Sequence, residues 1–224
     1  MKGATKGRVS VIPRVKQPVE KKQERAVLTR QRLVAAARRI FARDGFELAR
    51  VEDIAAAAGK TRGAFYANFK DKEDVFFAIY EQDILRDRKQ FALRLSEAST
   101  SEQRVWAFAR YLSAVVKDRE RMLLALEFKA YAIRHPHKHR RLADLYAAMK
   151  VRCCVEMQLD DLLPEFAGTS LEERRTQAAQ VGATLDGLAL NHMFDPGSLT
   201  DEQIEQQIRA SLRIAMNLET NGHC

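Results

Sequence analysis

Ahead of three runs with helical spacing, a Ser or Thr is followed three residues later by Glu or Gln. The pairs are Thr100 with Gln103, Ser170 with Glu173, and Thr200 with Gln203. Each reads as a capping box: the hydroxyl accepts a first-turn backbone N–H, and the longer side chain reaches back to the capping residue's own N–H. Between such starts and the breaks at Asp44-Gly45, Gly59, Pro136, Pro164 and Pro196-Gly197, apolar residues recur every three or four positions. No run alternates apolar and polar at period two between turn signals. The expected fold class is therefore all-α, with about nine helices.

The segments can be placed one by one. Leu33, Ala37, Ile40 and Phe41 share one helical face, and that helix ends near Asp44-Gly45. A short helix covers Val51 to Ala58 and stops at Gly59, which can adopt the positive φ of a sharp turn. Thr61 caps a third helix running to about Asn68, with Phe65 and Phe69 inward, and Asp71 caps a long fourth from Lys72 to about Glu97. Further helices are expected from Thr100 to Lys117, Arg119 to Arg134, Lys138 to Leu163, Ser170 to Phe194, and onward from Thr200. Residues 1 to 24 contain Pro13 and Pro18, hold no sustained period and bury little, so disorder is expected there, with the first helix starting near Leu28. The resulting division is a basic arm (1–24), a tri-helical unit (25–77) and a larger helical unit (78–224).

Charge bears on the partner. The 38 Lys and Arg against 30 Asp and Glu leave a formal +8. Nine bases and two acids within residues 1–30 account for 9 − 2 = +7 of it, so residues 31–224 are close to neutral. Net charge alone therefore says little about a folded binding surface. Three cysteines, two of them adjacent, make no disulfide framework and point to a reducing compartment. No apolar run reaches the length of a membrane span, and the basic N-terminus is not followed by an apolar stretch and cleavage site. The expected setting is cytoplasmic.

The stretch Val51–Asn68 has the layout of a helix-turn-helix: short helix, glycine turn, short helix. In that arrangement the first helix braces the second, whose N-terminal residues meet base edges in the major groove. Ile54, Ala55, Ala58 and Phe65 supply the apolar core, and Lys60, Thr61, Arg62 and Gly63 stand at the second helix's start, where unpaired N–H groups favour phosphate.

The run GKTRGAFYANFKDKEDVF (Gly59–Phe76) resembles the DNA-binding signature of the TetR (tetracycline repressor) family of transcriptional regulators, and AARRIFARDGFELARVEDIAAAAG before it resembles that family's first two helices. The element Tyr66, Phe69, Lys72, Glu73 carries the likeness, which covers about residues 30–77. EFKAYAIRHP (Glu127–Pro136) and DGLALNHMFDP (Asp186–Pro196) resemble segments of the family's ligand and dimer domain more loosely. The resemblance implies that Arg62 and Gly63 approach bases, that Tyr66 and Lys72 hold phosphates, and that Asn68 touches phosphate or a base edge. Arg50 stands where the family commonly has a capping Thr, Lys60 where a small apolar residue is common, and Asn68 where an aromatic or His is frequent. A DNA-binding set of Arg50, Lys60, Thr61, Arg62, Gly63, Tyr66, Asn68 and Lys72 follows.

The family likeness also implies a homodimer through helices 170–194 and 200–219, a palindromic duplex operator and a small, largely apolar effector. On this reading the chain is a repressor released from its operator, with the fourth helix as the lever between reader and pocket. The stripes Val181, Leu185, Leu188, His192 and Ile204, Ile208, Leu212, Ala215 are read as the surfaces of that dimer, in preference to the chain's own core. Pocket candidates are Trp106, Tyr111, Met122, Glu127, Phe128, Tyr131, Met149 and Met157, with Glu127 equally suited to a partnered structural role. His135, His137 and His139 do not have metal-ligand spacing on a helix, and Cys153-Cys154 reads as buried packing. No nucleophile, phosphate-loop or metalloprotease motif is found, so neither catalytic residues nor a cofactor are expected. The alternative is a helical ligand-binding or interaction protein with a vestigial helix-turn-helix.

Overall fold

The computed structural model describes residues 18–156, 163, 164 and 168–218, all of them in helices, turns or short connections. Nine helices are present among these residues: α1 (Pro18–Asp44), α2 (Val51–Ala57), α3 (Arg62–Tyr66), α4 (Lys72–Ser96), α5 (Ser101–Lys117), α6 (Arg119–Arg134), α7 (Pro136–Glu156), α8 (Leu171–Phe194) and α9 (Asp201–Ala215). The all-α class is as expected. The caps follow the sequence closely: Thr61, Asp71, Thr100, Ser170 and Thr200 each accept the N–H three residues on, and all three capping boxes close.

Two boundaries differ from expectation, both at proline. Helix α1 opens at Pro18, ten residues before Leu28, so residues 18–24 are helix and not arm. Helix α7 likewise opens at Pro136 itself. The reason is common to both: a first-turn N–H has no acceptor within the helix, so a residue lacking one is well placed at the start, and its fixed φ is already helical. Residues 1–17 and Met157 lie outside the described residues, as does most of the expected continuation of α7 to Leu163.

Two apolar clusters organise the chain. The first combines α1, α2, α3 and the front half of α4 with Leu124, Phe128, Tyr131 and Ala132 of α6 and Leu142 of α7. The second joins the rear of α4 to α5, α7, α8 and α9. Phe77, Tyr80 and Tyr146 pack against both. The tri-helical unit is therefore not closed by its own helices; α6 and α7 complete its core.

The sequence stripes on the last two helices, expected to face a partner copy, face the chain's own core instead. Ile204, Ile208 and Leu212 are fully buried, Leu188 is buried, and Val181 and Leu185 pack against the same cluster. What α8 presents outward is a different face, where Ala179, Ala183 and Gly187 are exposed alongside Leu190 and Phe194. On α9 the exposed apolar residues are Ala210 and Ile214. No described helix is long and apolar enough to cross a membrane.

Candidate nucleic-acid interface

The turn between α2 and α3 is built almost entirely from backbone chemistry. Gly59 sits at φ +64, Lys60 N–H donates to the Ala55 carbonyl and Gly59 N–H to that of Ala56, both at 2.9 Å. These two bonds form a Schellman motif, which closes α2 and reverses the chain. Thr61 then caps α3 through Ala64 N–H at 3.2 Å. Ile54, Ala55, Phe65 and Phe69 are buried in the first cluster with Leu33 and Val34 of α1. Burying Phe65 and Phe69 fixes the roll of α3 about its axis.

That roll turns Arg62, Gly63 and Tyr66 to solvent. The Tyr66 ring is 48 % exposed, meets Phe65 edge-on at 5.4 Å and lies 5.5 Å from the Arg62 guanidinium. Arg62 also pairs with Glu52 of α2 at 3.0 Å, an exposed bridge worth at most about 1 kcal/mol and easily exchanged for another anion. Among the described residues, a Cβ added at Gly63 would meet only Thr61 Oγ1, at 3.8 Å, so none of them demands glycine there. Arg50 is the N-cap of α2 in extended backbone with no side-chain cap bond, and it is exposed. Lys60 is half-buried at the turn.

Asn68 and Lys72 are placed differently from the other six. Asn68 Nδ2 donates back to the Ala64 carbonyl at 2.8 Å, while its own carbonyl accepts from Arg30 at 2.9 Å. Lys72 Nζ donates to the Phe46 and Glu47 carbonyls at 2.8 and 2.6 Å and lies over the Phe46 and Tyr131 rings. Burial lowers this ammonium's pKa, with Glu73 and Glu47 opposing the shift. Lys72 thus braces the loop between α1 and α2.

The same loop is held from the other side. Phe46 N–H donates to Glu127 Oε2 at 2.7 Å, and the Phe46 ring is fully buried among Phe41, Phe76, Phe128 and Tyr131, with centroids 5.0 to 5.9 Å away. Glu127 therefore takes the structural one of its two expected roles. Its place in an apolar run marked it as purposeful; nothing in the sequence indicated a partner 81 positions away. A second bridge joins Arg38 of α1 to buried Asp83 of α4 at 2.5 Å, and Asp83 and Asp87 together hold Arg121 of α6.

In the first turn of α4, Glu73 is buried and accepts from Tyr131 Oη and Lys138 Nζ, each at 2.8 Å. Burial pushes its carboxyl upward, but the two hydrogen bonds outweigh this and hold it below the ordinary value. A carboxyl depressed in the folded state contributes stability above its unfolded pKa of about 4.3, and loses it as pH falls through the folded value. Wild type is accordingly expected to lose more stability than Glu73→Gln between neutral pH and pH of about 3, measured by urea unfolding at each pH.

The remaining sequence candidates are dispersed. A cavity of about 180 Å³ lies among α4, α5, α6, α7, α8 and α9, and Tyr111 and Met122 line it. A neighbouring cleft of about 290 Å³ is lined by Phe128. Tyr131 is committed to Glu73 and Lys138, Met149 is buried in the second cluster, and Trp106 is 43 % exposed beneath the Arg209 guanidinium. His135 donates from Nδ1 to the Tyr131 carbonyl at 2.8 Å, and its ring lies 4.2 Å from the Tyr131 ring, tilted by 40°. Residues that composition and periodicity could not single out, among them Tyr80, Tyr146 and Lys150, complete the cavity wall.

Two family models match in register with this architecture. "Bacterial regulatory proteins, tetR family" covers residues 33–79, and "BetI-type transcriptional repressor, C-terminal" covers residues 101–215, just over half of the chain. The chain belongs to the TetR family. Relatives of this TetR-family chain include the HTH-type transcriptional repressor AcnR of Corynebacterium efficiens, 41% identical over 28% of this chain and 34% of that protein. Another is the HTH-type transcriptional regulator AcrR of Shigella flexneri, 44% identical over 27% and 28%. The chain thus matches about a third of the length of such relatives. Among solved structures, a TetR-family regulator from Mesorhizobium loti superposes with a TM-score of 0.57 at 22% identity, covering 87% of this chain and 98% of that one. The regulator FadR from Bacillus subtilis, in complex with stearoyl-CoA, gives 0.52 at 18% identity over 83% and 97%. A regulator from Saccharomonospora viridis in complex with choline gives 0.56 at 16% over 81% and 93%. At these identities the likeness establishes the TetR fold.

Proposed function

We propose that this chain is a homodimeric, ligand-responsive, sequence-specific DNA-binding regulator, and that it represses transcription. The observation carrying this reading is the rigidly seated α3, whose outward N-terminal surface consists of Thr61, Arg62, Gly63 and Tyr66 while Phe65 and Phe69 anchor it from behind. Arg50 and Lys60 extend the same surface as cations near phosphate. Lys72 acts by bracing the α1–α2 loop, and Asn68 by closing α3 through its bond to the Ala64 carbonyl. The repressor names of relatives such as AcnR support the sign of regulation. The vestigial helix-turn-helix alternative leaves an exposed Tyr and Arg on a fully capped, fully anchored helix without a task.

Dimerisation is assigned to α8 and α9 through their outward faces. Small residues Ala179, Ala183 and Gly187 permit close approach, and Leu190, Phe194 and Ile214 are 57 %, 89 % and 65 % exposed, a cost that a partner copy would remove. A Leu190→Asp, Phe194→Asp double variant is expected to sediment as a monomer with unchanged helical content. A dimer at unchanged concentration dependence would place the interface elsewhere. Two-fold pairing suits a palindromic operator, with recognition helices roughly 34–36 Å apart or a multiple of it. The site of action is then the cytoplasm.

An effector in the 180 Å³ cavity would act through α4, whose rear lines the cavity at Tyr80 and Ile84 and whose front carries Lys72 and Glu73 beside the reader. A ligand that binds the DNA-incompetent spacing more tightly shifts the population away from operator. The function is tested by deleting the gene in its native host and measuring transcripts: repression requires the neighbouring or operator-bearing genes to rise. A fall in those transcripts would make the chain an activator, and no change would remove the regulatory reading.

A further inference from the structure

We infer that the effector is an uncharged molecule built on one aromatic ring or a small fused pair, with one O–H or N–H that donates to Gln177 Oε1. This rests on the ligand-responsive reading above and adds the chemistry of the ligand. Gln177 stands one helical turn ahead of Val181 and two ahead of Leu185, on the stripe of α8 that walls the cavity. Its side-chain oxygen is buried and accepts no hydrogen bond among the described residues. Of the buried side-chain polar atoms in that condition, it is the one on the cavity wall. Leaving a buried acceptor unmet is costly, so a ligand that brings a donor recovers free energy that the chain alone forgoes. The body of the cavity is apolar, formed by Ile84, Phe108, Leu112, Met122, Leu185 and Leu212. An apolar cavity of about 150 Å³ holds benzene, so about 180 Å³ admits a substituted ring or a small bicycle with little to spare.

The charged groups on the wall, among the described residues, are Arg121, Lys150, Arg174 and Asp186, and each is already engaged. Arg121 donates to Asp87 at 2.7 Å and lies 4.0 Å from Asp83. Asp186 is paired with Lys129. Arg174 Nε donates to the Thr169 carbonyl at 3.3 Å, the Lys150 ammonium lies 5.0 Å from the Tyr146 ring centroid, and neither side chain is without a partner. An anionic ligand would have to break one of these contacts to be paired. A cationic ligand would find ring faces, since Tyr80, Phe108, Tyr111 and Tyr146 all line the cavity. Of these, Tyr80 already lies 5.9 Å from the Arg121 guanidinium, and Tyr146 meets the ammonium groups of both Lys129 and Lys150. What Phe108 and Tyr111 could add is smaller than the cost of stripping water from an ammonium when the one acid on the wall is matched. A neutral ring bears neither cost and packs edge-on or offset against the same four aromatic side chains.

The test is isothermal titration of the purified full-length protein with five probes. Indole and benzofuran match in shape and differ in the N–H donor; 4-methylphenol, 4-methylbenzoate and protonated 4-methylbenzylamine share a ring and differ in charge. Indole is expected to bind at least about fivefold more tightly than benzofuran, and 4-methylphenol at least about tenfold more tightly than either charged compound. Gln177→Leu should abolish the preference for indole over benzofuran with both still bound. The same substitution should leave the thermal midpoint unchanged or raised, because it removes an unmet acceptor; a fall of more than about 3 °C would give Gln177 a structural task and overturn the assignment. Benzofuran bound as tightly as indole, a charged compound bound as tightly as 4-methylphenol, binding by none of the five, or an indole preference that survives Gln177→Leu would each overturn it as well. Operator binding, measured separately, distinguishes the two levels: a protein that shows these preferences but binds no DNA would sink the regulator reading and leave the ligand class standing.

Discussion

An Arg62→Ala, Tyr66→Ala double variant is expected to lose about 3 kcal/mol of operator affinity, roughly 100-fold, with no change in fold or assembly. Both side chains are exposed, so their removal leaves the buried residues that seat α3 in place and takes from them only the edge-on contact of Tyr66 with Phe65. The Arg62–Glu52 bridge is the main intramolecular contact forfeited, and as an exposed pair it adds little to stability. Fluorescence anisotropy on a selected operator, beside circular dichroism and sedimentation, checks all three parts. Unchanged affinity would mean that α3 is not the reader. Lys72 is a poorer choice for this experiment, because its ammonium holds the Phe46 and Glu47 carbonyls and its loss would disturb the reader's seat.

The second large effect concerns that seat. Phe46→Ala should destabilise the chain by about 3–5 kcal/mol, the usual range for emptying a fully buried aromatic site. The cavity would open among Phe41, Phe76, Phe128 and Tyr131, which come from α1, α4 and α6, so the loss falls on the joint between the DNA-binding helices and the rest. Phe46→Leu should cost clearly less than Phe46→Ala because more of the volume is kept. Urea unfolding measures both; an alanine variant within about 1 kcal/mol of wild type would show that the joint does not depend on Phe46. The backbone bonds at this loop add to the ring: Glu127 of the larger unit takes its N–H, and Lys72 at the start of α4 donates to its carbonyl, so both polar groups of Phe46 are satisfied.

Local chemistry was legible in the sequence and long-range pairing was not. Capping residues announce themselves because the bond they make spans three positions, and the glycine turn at Gly59 because few other residues adopt its φ. The reader could be placed from Thr61 to Tyr66 for that reason. Lys72, Glu73 and Glu127 each carried a signal of importance, yet their partners lie 26, 58 and 81 positions away, and period and spacing hold no information at that range. Proline misled at Pro18 and Pro136 since the residue that ends one helix also starts another well. The stripes on α8 and α9 were ambiguous for a further reason: an inward stripe and an interface stripe have the same period, and only the packing of Ile204, Ile208 and Leu212 against α5 and α8 decides between them.

The central claim is that a nearly neutral folded body reads sequence through the start of one five-residue helix. Selection of binding sites from random duplex DNA by the purified protein, at a salt concentration that suppresses non-specific binding, tests it most directly. The account predicts enrichment of a palindrome whose half-sites lie about one helical turn apart or a multiple of it, with relaxed preference at one position per half-site for Arg62→Ala. Recovery of unselected sequence, or of the same enriched palindrome with unaltered preference and affinity when both Arg62 and Tyr66 are alanine, would contradict it.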